Sequence, residues 1–136
     1  DLAIASEEAV LVPAFGRLGL LPEVGTSHAL TRRLGYQRTF EFFVGGRHVD
    51  ARRAAELGLV NEVVPHAELI PTAERWCERI GALPAHAVPA GKPLLRAVAD
   101  LPWEQAIAME EFAEPMCFTT GAFRDAVGRL LVSTKS

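Results

Sequence analysis

Three short apolar runs constrain this chain more than anything else in it. Leu2-Ala3-Ile4 reads as a buried strand with no lead-in, Val10-Leu11-Val12-Pro13 as a second short strand, and Leu59–Pro65, rich in β-branched residues, as an extended segment. Strands leave backbone donors and acceptors along both edges, and a pair of them is marginal in water. The opening strands therefore predict sheet neighbours beyond themselves, and residues 1–136 alone are expected to be poorly stable.

Between these runs the chain is punctuated by glycine and proline. Gly16, Gly19, Pro22 and Gly25 mark a loop. Thr26 and Ser27 are candidate N-caps for a helix that runs through Leu34 and stops at Gly35. A further helix is predicted over Gln37–Val44, ended by Gly45-Gly46. Asp50 reads as the N-cap of Ala51–Leu57, which Gly58 closes. After Pro65 the pattern is helical. Leu69, Ala73, Trp76, Cys77 and Ile80 recur at a helical period, and Pro71 must fall in that helix's first turn. Another helix is expected after Pro93, then Trp103–Met116, interrupted near Pro115, and last Phe123–Val132.

Composition removes several classes of function. The chain is 49% apolar, enough for a packed core. No apolar run reaches the roughly 18 residues of a membrane span, and Asp1–Ser6 lacks the basic start of a signal peptide, so a cytoplasmic protein is the expectation. The net charge is −3, from 14 basic and 17 acidic residues, with no basic stripe for nucleic acid. Arg32, Arg33, Arg38 and Arg47 concentrate positive charge locally, as a solvated face or a polyanion contact. Cys77 and Cys117 lie in apolar helical patterns without a CxxC partner and read as buried free thiols. His28, His48, His66 and His86 show no HxxH or HExxH spacing, so no metal site is expected.

Two blocks carry a family resemblance. The first comprises Asp1-Leu2-Ala3-Ile4-Ala5-Ser6, Gly19-Leu20-Leu21-Pro22-Glu23-Val24-Gly25-Thr26, Leu30-Thr31-Arg32 and Leu34-Gly35. The second comprises Gly45-Gly46-Arg47-His48-Val49-Asp50-Ala51 and Ala54-Ala55-Glu56-Leu57-Gly58-Leu59-Val60-Asn61-Glu62-Val63-Val64-Pro65. Together they make the chain resemble the crotonase superfamily, the enoyl-CoA hydratase/isomerase family, over essentially its whole length. The resemblance implies an α/β, crotonase-like (ClpP/crotonase spiral) fold, of which this chain is the C-terminal portion. About residues 1–65 would be a core and active-site segment, and about residues 66–136 a helical, oligomerisation region. It also implies that most of the sheet and both backbone donors of a thioester oxyanion hole lie upstream of Asp1.

The family's chemistry is the stabilisation of a thioester enolate beside which protons move. Hydratases of this kind use two glutamates. One falls upstream of Asp1 and the other at Phe15, which cannot transfer a proton. Isomerases place a single acid eight residues further on, at Glu23 here. One carboxylate can take a proton from one carbon of an enoyl chain and return it two carbons away, as base and then acid. On spacing alone Glu23 reads as a loop glutamate or a first-turn acid beside Thr26, and it is the surrounding family motif that points to catalysis.

The resemblance further implies substrate contacts at Phe15, Leu18, Pro22, Gly25 and Thr26. Phe15 would be an apolar wall of the acyl pocket, while Gly25 and Thr26 serve the tight turn into the helix first. An aromatic residue and a lysine that meet the CoA adenine in relatives fall at Leu130 and Ser133, leaving Lys135 as the one basic candidate near the end. The expected activity is isomerisation of enoyl-CoA thioesters by Glu23, with hydration second and a non-catalytic assembly subunit third. No cofactor is expected beyond coenzyme A as part of the substrate. A homotrimer or dimer of trimers is expected from the apolar surface around Phe112, Met116, Phe118 and Phe123.

Overall fold

In a computed structural model, which describes residues 1–133, the first strand finds its partner far downstream. Strand β1 (Ile4–Ser6) pairs in parallel with β4 (Glu62–Val64), Ile4 opposite Glu62 and Ser6 opposite Val64. The ladder extends at both ends. Glu7 N–H donates to the Val64 carbonyl at 2.8 Å, and Asn61 N–H to the Ala3 carbonyl at 2.7 Å. The Asn61 side chain accepts from Ala3 N–H at 2.8 Å. Strand β2 (Val10–Leu11) pairs antiparallel with β3 (Val49–Asp50). The opening strands are thus paired within the chain, each in a ladder of only two strands.

These strands belong to the first of two compact units, Asp1–Trp76; the second begins at Cys77. In the first unit, α1 (Thr26–Leu34) and α2 (Tyr36–Gly45) are joined at Gly35 and pack on each other. Helix α3 (Ala51–Glu56) follows β3 directly. The core is small: Leu34, Val49, Ala54 and Leu59 are buried together, with Leu11, Leu30, Phe42, Leu57 and Val60 packed against them.

The segment from Asp50 to Leu59 shows why the second block of residues folds as it does. The Asp50 carboxylate accepts from Arg53 N–H at 2.8 Å, which satisfies one orphan donor of the first turn. At the other end Gly58 turns left-handed, φ +72°. Gly58 N–H then donates to the Ala55 carbonyl and Leu59 N–H to the Ala54 carbonyl, the paired bonds of a Schellman motif. That closure drops Leu59 onto Ala54 in the core. Helix α4 (Leu69–Gly81) holds Pro71 in its first turn, where no intrahelical donor is lost. Within the first unit Trp76 Nε1–H donates to Glu62 at 2.7 Å.

The second unit contains α5 (Ala87–Val98), α6 (Trp103–Phe118) and α7 (Gly121–Ser133). Helix α6 packs against both of the others. Between α5 and α6 lies an apolar groove of about 480 Å³, lined by Leu94, Met109 and Phe112 among others. Thr120 caps α7, its hydroxyl accepting from Phe123 N–H at 3.2 Å while donating to the Cys117 carbonyl at 2.8 Å. The chain is thus mostly helical, with a few short strands at its start.

Several boundaries differ from the sequence reading. Thr26 and Ser27 do not cap α1: Gly25 is the N-cap, left-handed and without a side-chain bond, because Thr26 is already helical. Helix α5 begins six residues before Pro93, and α6 runs through Pro115. Both prolines are exposed, so water can reach the carbonyls they leave unbonded. Cys77 is exposed and Cys117 half-buried; both are free, and neither is the buried thiol expected.

Candidate active site

Residues 12–25 connect β2 to α1 and carry the candidate site. Phe15 is half-buried and opens a short 3-10 turn over Gly16–Leu18. Its carbonyl accepts from Leu18 N–H at 3.1 Å and from Leu20 N–H at 2.9 Å, which curls residues 15–20 into one knot. The turn is mounted on the end of α2 at two points. A Cβ on Gly16 would lie 2.6 Å from the Phe43 carbonyl oxygen, so only glycine lets the two backbones approach so closely. Beside it, the Arg17 guanidinium donates to the Gly46 carbonyl at 2.6 Å. Gly46 is itself left-handed, φ +57°, and a Cβ there would meet Arg17. The sequence marked Gly45-Gly46 as a helix stop and the start of the second family block; the clamp joins the Arg17 side chain to a backbone carbonyl too far away in sequence for local pattern to show.

Glu23 begins a second turn. Thr26 N–H donates to the Glu23 carbonyl at 2.9 Å, and the two residues between them both have positive φ, Val24 at +53° and Gly25 at +79°. This is the signature of a type I′ turn, which suits Gly25. Val24 is the one non-glycine residue with positive φ among those described, and a β-branched residue there is sterically strained. Nothing in the local sequence announces it, since valine favours extended backbone.

The Glu23 side chain is exposed at the start of this turn. It is the only acid between Val12 and Thr26, and the one basic residue of that stretch, Arg17, is held by Gly46. The loop therefore offers a single proton carrier. Of the other expected contacts, Leu18 and Gly25 are exposed and Pro22 half-buried on the same loop as Phe15 and Glu23, while Thr26, half-buried, opens α1. Lys135 lies outside the described residues. Leu130 is exposed on α7, and Ser133 closes that helix.

A separate cavity of about 550 Å³ lies in the first unit and includes no residue of this loop. Its floor is Leu34, Phe42, Val49 and Leu57, and Arg38, Arg47 and Arg53 line it with Glu41 and His48. Arg33 is turned elsewhere, donating to the Leu59 carbonyl at 3.3 Å. The predicted arginine region is thus divided, and the members that line the cavity are exposed side chains.

Comparison with known proteins places this architecture. Residues 1–125 match the family described as enoyl-CoA hydratase/isomerase. A Dictyostelium discoideum protein assigned as a mitochondrial enoyl-CoA hydratase is 31% identical over 110 residues, which are 81% of this chain and 40% of that protein. The crystal structure of an enoyl-CoA hydratase/isomerase from Cupriavidus metallidurans CH34 superposes with a TM-score of 0.90 at 31% identity, covering 98% of this chain and 50% of that one. A Thermobifida fusca YX protein assigned as an enoyl-CoA hydratase, solved in complex with acetoacetyl-CoA, gives a TM-score of 0.82 at 30% identity, over 87% of this chain and 46% of that one. The chain spans about half the length, or less, of these relatives.

Proposed function

The chain belongs to the enoyl-CoA hydratase/isomerase family, and on that premise we propose that Glu23 is the acid/base of an enoyl-CoA double-bond isomerase. The observation that carries this reading is the single acid on the loop. An aromatic ring, Phe15, stands where a hydratase of this kind would need a carboxylate, and Glu23 follows on the same mounted loop. Its carboxylate would take a proton from C2 of a 3-enoyl thioester, breaking C2–H and forming O–H. It would then return that proton to C4 as the double bond moves from C3=C4 to C2=C3. Phe15 and Pro22, half-buried on the loop, would flank the acyl chain, with Leu18, Gly25 and Thr26 nearby. The substrate of the whole protein is accordingly an acyl-CoA thioester, a class to which the ligand of the Thermobifida fusca relative belongs.

The test is Glu23→Gln in the full-length protein, assayed with a 3-enoyl-CoA and a 2-enoyl-CoA side by side. The amide is nearly isosteric and should keep fold and ligand binding, while isomerase turnover falls by about 10² to 10⁴. Turnover of the 3-enoyl substrate at the wild-type rate would reduce Glu23 to a loop residue. Hydration is the second reading, favoured by the names of the Dictyostelium discoideum and Thermobifida fusca relatives. Rapid hydration of the 2-enoyl substrate with no action on the other would put it first. Inactivity towards both, with assembly intact, would leave the chain as an assembly subunit. A homotrimer or dimer of trimers is the proposed assembly, through the apolar faces of the second unit, and light scattering showing a monomer at micromolar concentration would remove it.

A further inference from the structure

We infer that Val24 is the residue through which this loop reads the acyl chain, a specificity role that rests on the reading of Glu23 as the acid/base. Two independent observations meet at this position. Its backbone is left-handed, φ +53°, a conformation that a β-branched side chain adopts only against steric resistance. Its side chain is 96% exposed, more than any other large apolar residue described. Glycine would relieve the first and a polar residue the second. The chain has neither, and the side chain contributes no burial that would offset the strain. Strain of this kind persists where the surroundings over-determine it and gathers at ligand sites. The surroundings here are explicit. The Thr26–Glu23 hydrogen bond closes the turn, Gly25 takes its second left-handed position, and α1 starts at Thr26. The turn holds Val24 one residue beyond the proposed acid.

A branched apolar side chain next to a proton-transferring carboxylate suits one part of the substrate, the hydrocarbon around C3 and C4 that exchanges the proton. Leu18, Leu20 and Leu21 are also exposed on this loop, but they carry no backbone strain and are ordinary candidates for covering by protein. Val24 is thus assigned to the near end of the acyl chain and not to its tail.

The test uses unreactive thioesters, so that binding is read apart from turnover. Acetyl-CoA lacks C3 and C4; butyryl-CoA has both. In the full-length protein, calorimetry on wild type, Val24→Ala and Val24→Gly gives the ratio of the two affinities. The preference for butyryl-CoA should fall by about tenfold in Val24→Gly, the effect typical of lost methyl contacts in an apolar pocket, and by less in Val24→Ala. The melting midpoint of Val24→Gly should stay level or rise, because strain is relieved and the side chain is not packed within this part of the protein. An unchanged ratio, no measurable binding of either thioester by wild type, or a midpoint that falls as for a packing residue would each overturn the assignment. A falling ratio alongside an active Glu23→Gln would sink the isomerase reading and leave the Val24 contact standing.

Discussion

The first unit, Asp1–Trp76, contains every side chain that is buried among the described residues; the second contains none. Both units are rich in large apolar residues. Leu59 in the first is 7% exposed, whereas Phe112 in the second is 87% exposed, and Met116 and Trp103 are exposed with it. The difference follows from how each unit satisfies its backbone. In the first, β1 pairs with β4 and β2 with β3 across long stretches of sequence, and Leu34, Val49, Ala54 and Leu59 are buried together beside them. In the second, each helix satisfies its own hydrogen bonds locally, so nothing forces its apolar faces inward. A helix can thus be well formed while its stabilising burial lies elsewhere. On the proposed assembly, that burial comes from neighbouring subunits.

The contrast can be broken by substitution. The largest effect is expected at the core: Leu59→Ala should destabilise by about 2–5 kcal/mol in urea titration, the range for emptied apolar sites. Phe112→Ala should leave subunit stability within about 0.5 kcal/mol and should instead weaken association in light scattering. A stability loss at Phe112 as large as that at Leu59 would mean that the second unit has a core of its own. Next come paired glycines. Gly16→Ala drives a methyl against the Phe43 carbonyl and should cost about 1–3 kcal/mol, as overpacking does. Gly128→Ala, inside α7 with no atom in the way, should stabilise by about 0.5–1 kcal/mol. Equal signs at the two sites would deny the mount. The cap is a smaller effect than the core or the mount: Asp50→Ala should cost about 1 kcal/mol, with Asp50→Asn recovering most of it.

Those same positions mark what the sequence could reveal. Asp50, Gly58 and Leu59 were legible because cap, left-handed stop and core residue follow one another within ten positions, each with its own chemical preference. Pro71 was legible because a first-turn proline loses no bond. Pro93 and Pro115 misled for the opposite reason: whether a mid-helix proline breaks the helix depends on solvent at the preceding turn, which is a tertiary fact. At the site, Glu23 and Phe15 could be named only through the family resemblance of the motifs around them, and their support could not be named at all. The approach of Gly16 to Phe43 and the bond from Arg17 to Gly46 each span more than twenty-five residues. The conformation of Val24 runs against its own preference and arises only from the turn that encloses it.

The close approach at Gly16 has an evolutionary reading. Position 16 is shut to every residue but glycine by a neighbouring carbonyl, while position 23, exposed at the far end of the same loop, can accept any side chain without disturbing the packing. Drift is therefore channelled: the mount stays fixed while the group it presents is free to vary. A lineage built on this loop can exchange the side chain presented at position 23 for another without refolding. New chemistry then becomes a matter of one or two substitutions on an unchanged scaffold.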